Sequence, residues 1–217
     1  MIKRILLRLL LVLGLVVLVL VLNLVVFNIA ASRVSEGTPI SDPKPDKVAL
    51  LVIDIQEGTT GATSALKSLV AQSEQLITRV NPILQDAHDR GYLIIYIRTE
   101  IANPLLNVLN NTMARGTAGA ELDQRLLIIP GPVVVKRRGD SFMGTDLDQI
   151  LIDHQIGKLL VVGLDAAQCV MRTVEAAYNR GYEIAIVEEA VISDSEESKA
   201  RALDEFRELG VEVITMN

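Results

Sequence analysis

The hydrophobic pattern of this chain changes character along its length. From Leu9 to Ala31 no residue is charged, and only Asn23 and Asn28 are strongly polar. An α-helix needs roughly 20 apolar residues to cross a bilayer core, so the pattern predicts a transmembrane helix over residues 9–31. A cleaved secretory signal is the competing reading, because Ile29-Ala30-Ala31-Ser32 offers small residues to a signal peptidase. Its apolar core would run to about 15 residues at most, shorter than this one. Lys3, Arg4 and Arg8 make residues 1–8 a basic N-terminus, which predicts that this end stays cytoplasmic and that the following domain is extracytoplasmic. Residues 32–46 hold Pro39, Pro43 and Pro45 with Gly37 and Ser41 and are expected to form an extended linker.

From Lys47 onward, short β-rich runs alternate with helical patterns. Lys47–Ile53 is a continuous apolar run that ends at Asp54, as expected of a strand buried on both faces. Leu66–Arg90 has helical apolar spacing and is stopped by Gly91. Further strands are expected at 92–98, 132–136, 158–163, 182–187 and 211–215, and further helices at 145–153, 168–180 and 195–209. Strands alternating with helices imply right-handed crossovers and a parallel sheet covered on both faces. The fold class is therefore α/β, a three-layer αβα arrangement on a six-stranded parallel sheet over 47–217. Ligands of such sheets bind beyond the carboxyl ends of the strands, where strand order reverses.

Composition narrows the partners. The net charge is −6, and residues 47–217 carry 16 basic against 24 acidic residues. Aromatic residues make up 3% of the chain and there is no Trp. An acidic domain with few stacking surfaces is not a nucleic-acid binder. The single cysteine, Cys169, cannot form an intrachain disulfide.

Three residues with usable chemistry follow strands: Asp54 after the first, Lys136 after the third and Cys169 shortly after the fourth. Each also has a plainer reading. Asp54 could order a loop or cap a helix, Lys136 could belong to a solvated basic turn, and Cys169 could be a small buried hydrophobe. Taken together they offer a nucleophile, a base and a cation. Cys169 lies near the start of the helix expected over 168–180, and that helix start, with a cation nearby, is expected to lower the thiol pKa.

The segments around these residues resemble isochorismatase-like cysteine hydrolases. Val48-Ala49-Leu50-Leu51-Val52-Ile53-Asp54-Ile55-Gln56 looks like that family's opening strand. Lys136-Arg137-Arg138-Gly139-Asp140-Ser141-Phe142-Met143-Gly144-Thr145-Asp146-Leu147 looks like its lysine segment. Val161-Val162-Gly163-Leu164-Asp165-Ala166-Ala167-Gln168-Cys169-Val170 looks like its cysteine elbow. The resemblance implies a six-stranded Rossmann-like sheet, Cys169 as nucleophile, Asp54 as general base and Lys136 as the polarising and orienting residue. It also implies a cis, non-proline peptide between Asp165 and Ala166, and an oxyanion site made by the N–H groups of Ala166 and Cys169. Ala166 departs from the Thr often found there. Homo-oligomers are usual in the family.

Nicotinamidases in this superfamily carry a metal site of Asp and two His after the first strand. This chain has only His88 and His154, both inside expected helices, so no metal and no cofactor is expected. Cys169 favours acyl chemistry on an amide or related C–N bond of a small-molecule substrate. Gln56, Arg98 and Phe142 are candidates for the pocket, with the loop Thr99–Gly119 shaping it. For Arg98 an ion pair with Glu100 or Asp123 is an equal alternative, and for Phe142 a core role. A catalytically silent binding or scaffold module with the same fold is the competing function. A dinucleotide enzyme is set aside because no Gly-x-Gly-x-x-Gly follows the first strand.

Overall fold

A computed structural model describes residues 2–41, 44–103, 105 and 112–215. Its first element is a single helix, α1 (Ile2–Ala31), about 45 Å long at 1.5 Å per residue. Lys3, Arg4 and Arg8 lie within it. By length and composition, Lys3–Ala31 is apolar enough to cross a membrane.

The remaining elements alternate. They are β1 (Lys44–Ile53), α2 (Lys67–Asp89), β2 (Leu93–Thr99), β3 (Val133–Lys136), α3 (Leu147–Asp153), β4 (Ile156–Leu164), α4 (Met171–Asn179), β5 (Glu183–Ile192), α5 (Glu196–Glu208) and β6 (Glu212–Ile214). The six strands form one sheet in the order β3-β2-β1-β4-β5-β6, and every pairing is parallel. Strand order reverses between β1 and β4, which puts a crevice beyond their carboxyl ends.

Alternation along β1 explains the three layers. Ala49, Leu51 and Ile53 point to one face, where Leu147 and Leu151 of α3, Val174 of α4 and Phe206 of α5 close over them. Leu50 and Val52 point to the other, against Leu76, Val80 and Leu84 of α2. A strand buried on both sides has no polar face to show, hence the unbroken apolar run. Each such aliphatic side chain contributes about 1.5–3 kcal/mol by leaving water.

The segment expected to be an extended linker is instead docked. Val34 and Ile40 pack on the core. The Ser35 amide donates to Asp140 Oδ2 at 2.8 Å, and the Ile40 amide to Arg180 O at 2.9 Å. Two apolar residues inside a Pro- and Gly-rich composition are enough to seat it. β1 also begins at Lys44, three residues before the expected Lys47, with Lys44 paired to Ile156. Gly157 makes that approach possible, since a Cβ there would lie 2.5 Å from the Lys44 carbonyl.

Candidate active site

The carboxyl ends of four strands converge on one cluster. Asp54 continues the β1 ladder by donating its amide to Ile97 O at 2.8 Å, then turns into the left-handed region at φ 55°. A non-glycine residue there costs of the order of 1–3 kcal/mol and persists only where its surroundings enforce it. The enforcing contacts are visible. Thr59 Oγ1 donates to Asp54 O at 2.6 Å, and Thr99 Oγ1 donates to Asp54 Oδ1 at 2.9 Å. Lys136 Nζ meets the other carboxylate oxygen, Oδ2, at 2.8 Å.

Thr99 and Lys136 are direct register partners on β2 and β3, so the sheet itself sets them side by side. Lys136 has no solvent exposure, and its Nζ also donates to Arg138 O at 3.1 Å. Burial disfavours its cation, but the carboxylate of Asp54 and the thiol of Cys169 outweigh that cost and raise its pKa above the ordinary value.

Cys169 reaches this pair from a π-helical turn, Ala166–Val170, that joins β4 to α4. The turn is wound on Asp165. Val170 N donates to Asp165 O at 3.1 Å, Gln168 N to the same oxygen at 3.0 Å, and Ala167 N to Asp165 Oδ1 at 2.9 Å. Ser193 Oγ holds the same carboxylate oxygen. The cis peptide joins Leu164 to Asp165, one bond earlier than the expected Asp165–Ala166. The amide of Ala166 thus lies beyond a trans bond, in the fully buried first position of the turn.

The Cys169 thiol is electrostatically coupled to both Asp54 and Lys136. Its pKa departs from the sequence-based expectation. Burial pushes it up first, Lys136 pulls it down, and the carboxylate of Asp54 raises it again, to about 11. The lowering expected of a helix start does not prevail, because the sulfur lies in a dense cluster with a carboxylate beside it. The thiol therefore rests protonated at neutral pH.

A cavity of about 510 Å³ opens on Cys169. Its walls are Thr99, Ile101 and Met113 on one side, and Arg137, Arg138 and Gly139 with Gln168 and Arg172 on the other. Phe27, Asn28, Ala31 and Ser32 from the end of α1 complete it. The expected pocket residues do not line it. Gln56 is fully buried and clamps the β2 end, donating to Thr99 O and Ala120 O and accepting from Thr99 N at 2.7 Å. Arg98 donates to Ala120 O at 2.8 Å and pairs with Glu100 at 3.2 Å. Phe142 is a core residue, stacked on Tyr182 with the Arg180 guanidinium 4.3 Å from its ring centroid. The loop Thr99–Gly119 lies partly outside the described residues; its described portion supplies Ile101 and Met113.

Thr99 is the residue that sequence reasoning missed. It carried a findable signal, because it closes β2 as Asp54 closes β1. His88 and His154 are exposed near the C-terminal ends of helices, beside the amino ends of β2 and β4 and so on the side of the sheet opposite the cluster. Among the described residues no three His, Cys, Asp or Glu side chains gather as a metal site.

The isochorismatase domain family model matches residues 48–217. The chain belongs to the isochorismatase family and has the fold of its hydrolases. It is 36% identical over 131 residues to N-carbamoylsarcosine amidase from Arthrobacter sp., covering 54% of this chain and 50% of that protein. It is 25% identical to a probable inactive nicotinamidase from Arabidopsis thaliana, covering 78% and 92%. Among solved structures, N-carbamoylsarcosine amidase from Thermoplasma acidophilum superposes with a TM-score of 0.66 at 25% identity, covering 78% of this chain and 96% of that one.

Proposed function

We propose that this protein is a membrane-anchored cysteine hydrolase that cleaves an amide or related C–N bond of a small molecule through an acyl-thioester. The observation that carries this reading is the buried Lys136–Asp54 pair at 2.8 Å, electrostatically coupled to Cys169, which lines a cavity. In the first half-reaction the thiol proton passes to Asp54 as sulfur attacks the carbonyl carbon. Lys136 stays cationic and offsets the developing negative charge, while the N–H groups of Ala166 and Cys169 receive the oxyanion. The C–N bond breaks and the amine leaves with the proton from Asp54. Water, deprotonated by Asp54, then cleaves the thioester and restores the thiol. The match to N-carbamoylsarcosine amidase supports C–N substrates.

α1 serves in this reading as an uncleaved anchor with a cytoplasmic N-terminus. Its last turn supports retention. Cleavage after Ala31 would remove the carbonyl that accepts the Gly139 amide at 3.0 Å, together with one wall of the cavity. Protease added to spheroplasts should degrade the hydrolase domain; full protection would reverse the orientation.

The raised thiol pKa and the resemblance to a probable inactive nicotinamidase favour a second reading, a silent binding module. A panel of primary amides, ureido acids and lactams separates the two. The hydrolase should turn over at least one of them, and Cys169→Ala should cut that rate by about a thousandfold or more. Turnover that survives the substitution would remove Cys169 from the chemistry.

A further inference from the structure

The anchor helix does more than precede the domain, because its final two turns form one wall of the site. Two hydrogen bonds seat it there. Asn103 Nδ2 donates to Asn23 Oδ1 at 3.0 Å, and the Gly139 amide donates to Ala31 O at 3.0 Å. Asn23 and Asn28, the only strongly polar residues of the apolar stretch, are thereby accounted for, one as a tie to the domain and the other in the cavity wall.

A second cavity of about 410 Å³ adjoins the first along the same helix face. The two share Phe27, Ala31, Arg137 and Arg138, and the second continues past Val26 to Asn23. Together they make a trough from Cys169 down α1, roughly 12 Å between the levels of Ala31 and Asn23 at 1.5 Å per residue. Phe27, Val26, Ala30 and Ala102 make much of its lining apolar.

Helix length fixes where the trough ends. The uncharged stretch starts at Leu9, so the roughly 30 Å of a hydrocarbon core runs from Leu9 to about Asn28 at 1.5 Å per residue. Arg8 can extend its side chain toward the N-terminal interface. The lower end of the trough, at Asn23 and Asn103, then lies within the outer part of the bilayer, and its upper end, at Ala31, at the opposite membrane surface. The upper rim, with Gln168 and Arg172, faces water.

We infer that the substrate is an amide with a long apolar acyl chain, drawn from the bilayer surface so that the chain lies in the trough along α1 and the carbonyl reaches Cys169. The inference rests on the hydrolase reading and adds the substrate class to it. Sulfur bonds to the acyl carbon, the C–N bond breaks, and the amine departs through the wet rim carrying the proton. The acyl chain stays in the trough until water releases the fatty acid.

The test uses full-length protein in phosphatidylcholine vesicles with paired p-nitroanilides of acetic and dodecanoic acid. The dodecanoyl compound should give a kcat/KM at least tenfold higher. Phe27→Trp fills the trough where the two cavities meet and should collapse that preference toward unity. Because the chain contains no other Trp, its emission also reports whether α1 is still seated. Val26→Glu, which sets a carboxylate in the path of the chain, should do the same from the adjacent position. Cys169-dependent hydrolysis with no chain preference overturns the inference and leaves the hydrolase reading intact. A preference unchanged in both variants also overturns it. Turnover of neither anilide, with Cys169-dependent turnover of a compound in the panel above, overturns the inference alone; turnover of nothing in either set fails the hydrolase reading as well.

Discussion

Asp54 acts on its neighbours in two opposed ways. Its carboxylate holds the Lys136 ammonium and at the same time raises the thiol pKa of Cys169. Replacing it with Asn keeps the shape and removes the charge, so Asp54→Asn should lower the pKa of Cys169 below about 11 while depressing turnover. Iodoacetamide alkylation rates against pH read the first effect and amide hydrolysis the second. A midpoint that does not move would mean that burial and Lys136 set the thiol without Asp54. Asp54, Lys136 and Cys169 were legible from sequence because each directly follows or lies near a strand end, a position that sequence locates well. Gln56, Arg98 and Phe142 were misplaced for the complementary reason. Sequence gives a residue's place along the chain but not the direction of its side chain, and Gln56 turns inward to bond the backbone of Thr99.

Among the elements, the contact between β1 and β4 tolerates least. Gly163 has φ 118°, and a Cβ there would stand 2.1 Å from Ile53 O, next to the residue that launches Asp54. The register between β4 and β5 also shifts between Val161 and Gly163. Gly163→Ala should therefore cost about 3 kcal/mol or more, with a urea midpoint well below wild type. A near-neutral result would show that the two strands can separate without penalty. The strands and helices of the domain were readable because apolar runs and helical spacing mark them directly, and Gly91, Gly181 and Gly210 mark helix ends. The turn holding Cys169 was read as the start of a longer helix. Its wider winding comes from the Asp165 carboxylate and carbonyl capturing three amides, an arrangement that no hydrophobic period encodes.

The whole molecule should register the buried cluster in its pH stability. Cys169 has its pKa raised from 9.0 to about 11, and that of Lys136 is raised from 10.5. In both cases the folded state holds the proton more tightly than the unfolded chain. The stabilisation is fully present below pH 9 for the thiol and drains away as pH climbs through about 11. The Tm should accordingly fall over that window, and Cys169→Ala should make the fall shallower. Parallel curves for the two proteins would place the sulfur outside the coupled cluster. Docking of α1 and of residues 34–41 against the domain was the part least legible in sequence. It depends on two apolar side chains, Val34 and Ile40, finding the core, and on single hydrogen bonds between residues more than 70 positions apart, and neither periodicity nor composition reports those contacts.

The stitched segment between Val34 and Ile40 bears on ectodomain shedding. A free stalk is where sheddases cut, since cleavage needs several residues drawn out into an enzyme groove. Here the buried Arg180 guanidinium, paired to Asp148 at 2.6 Å, donates to Ser35 O, and the Arg180 backbone carbonyl accepts from the Ile40 amide, so that both ends of the stretch are pinned. Limited trypsinolysis of the intact protein should spare Arg33, at the head of that stretch, until the fold loosens, whereas Arg180→Ala, which removes the guanidinium tie at Ser35 and keeps the backbone bond to Ile40, should release a fragment beginning at Val34.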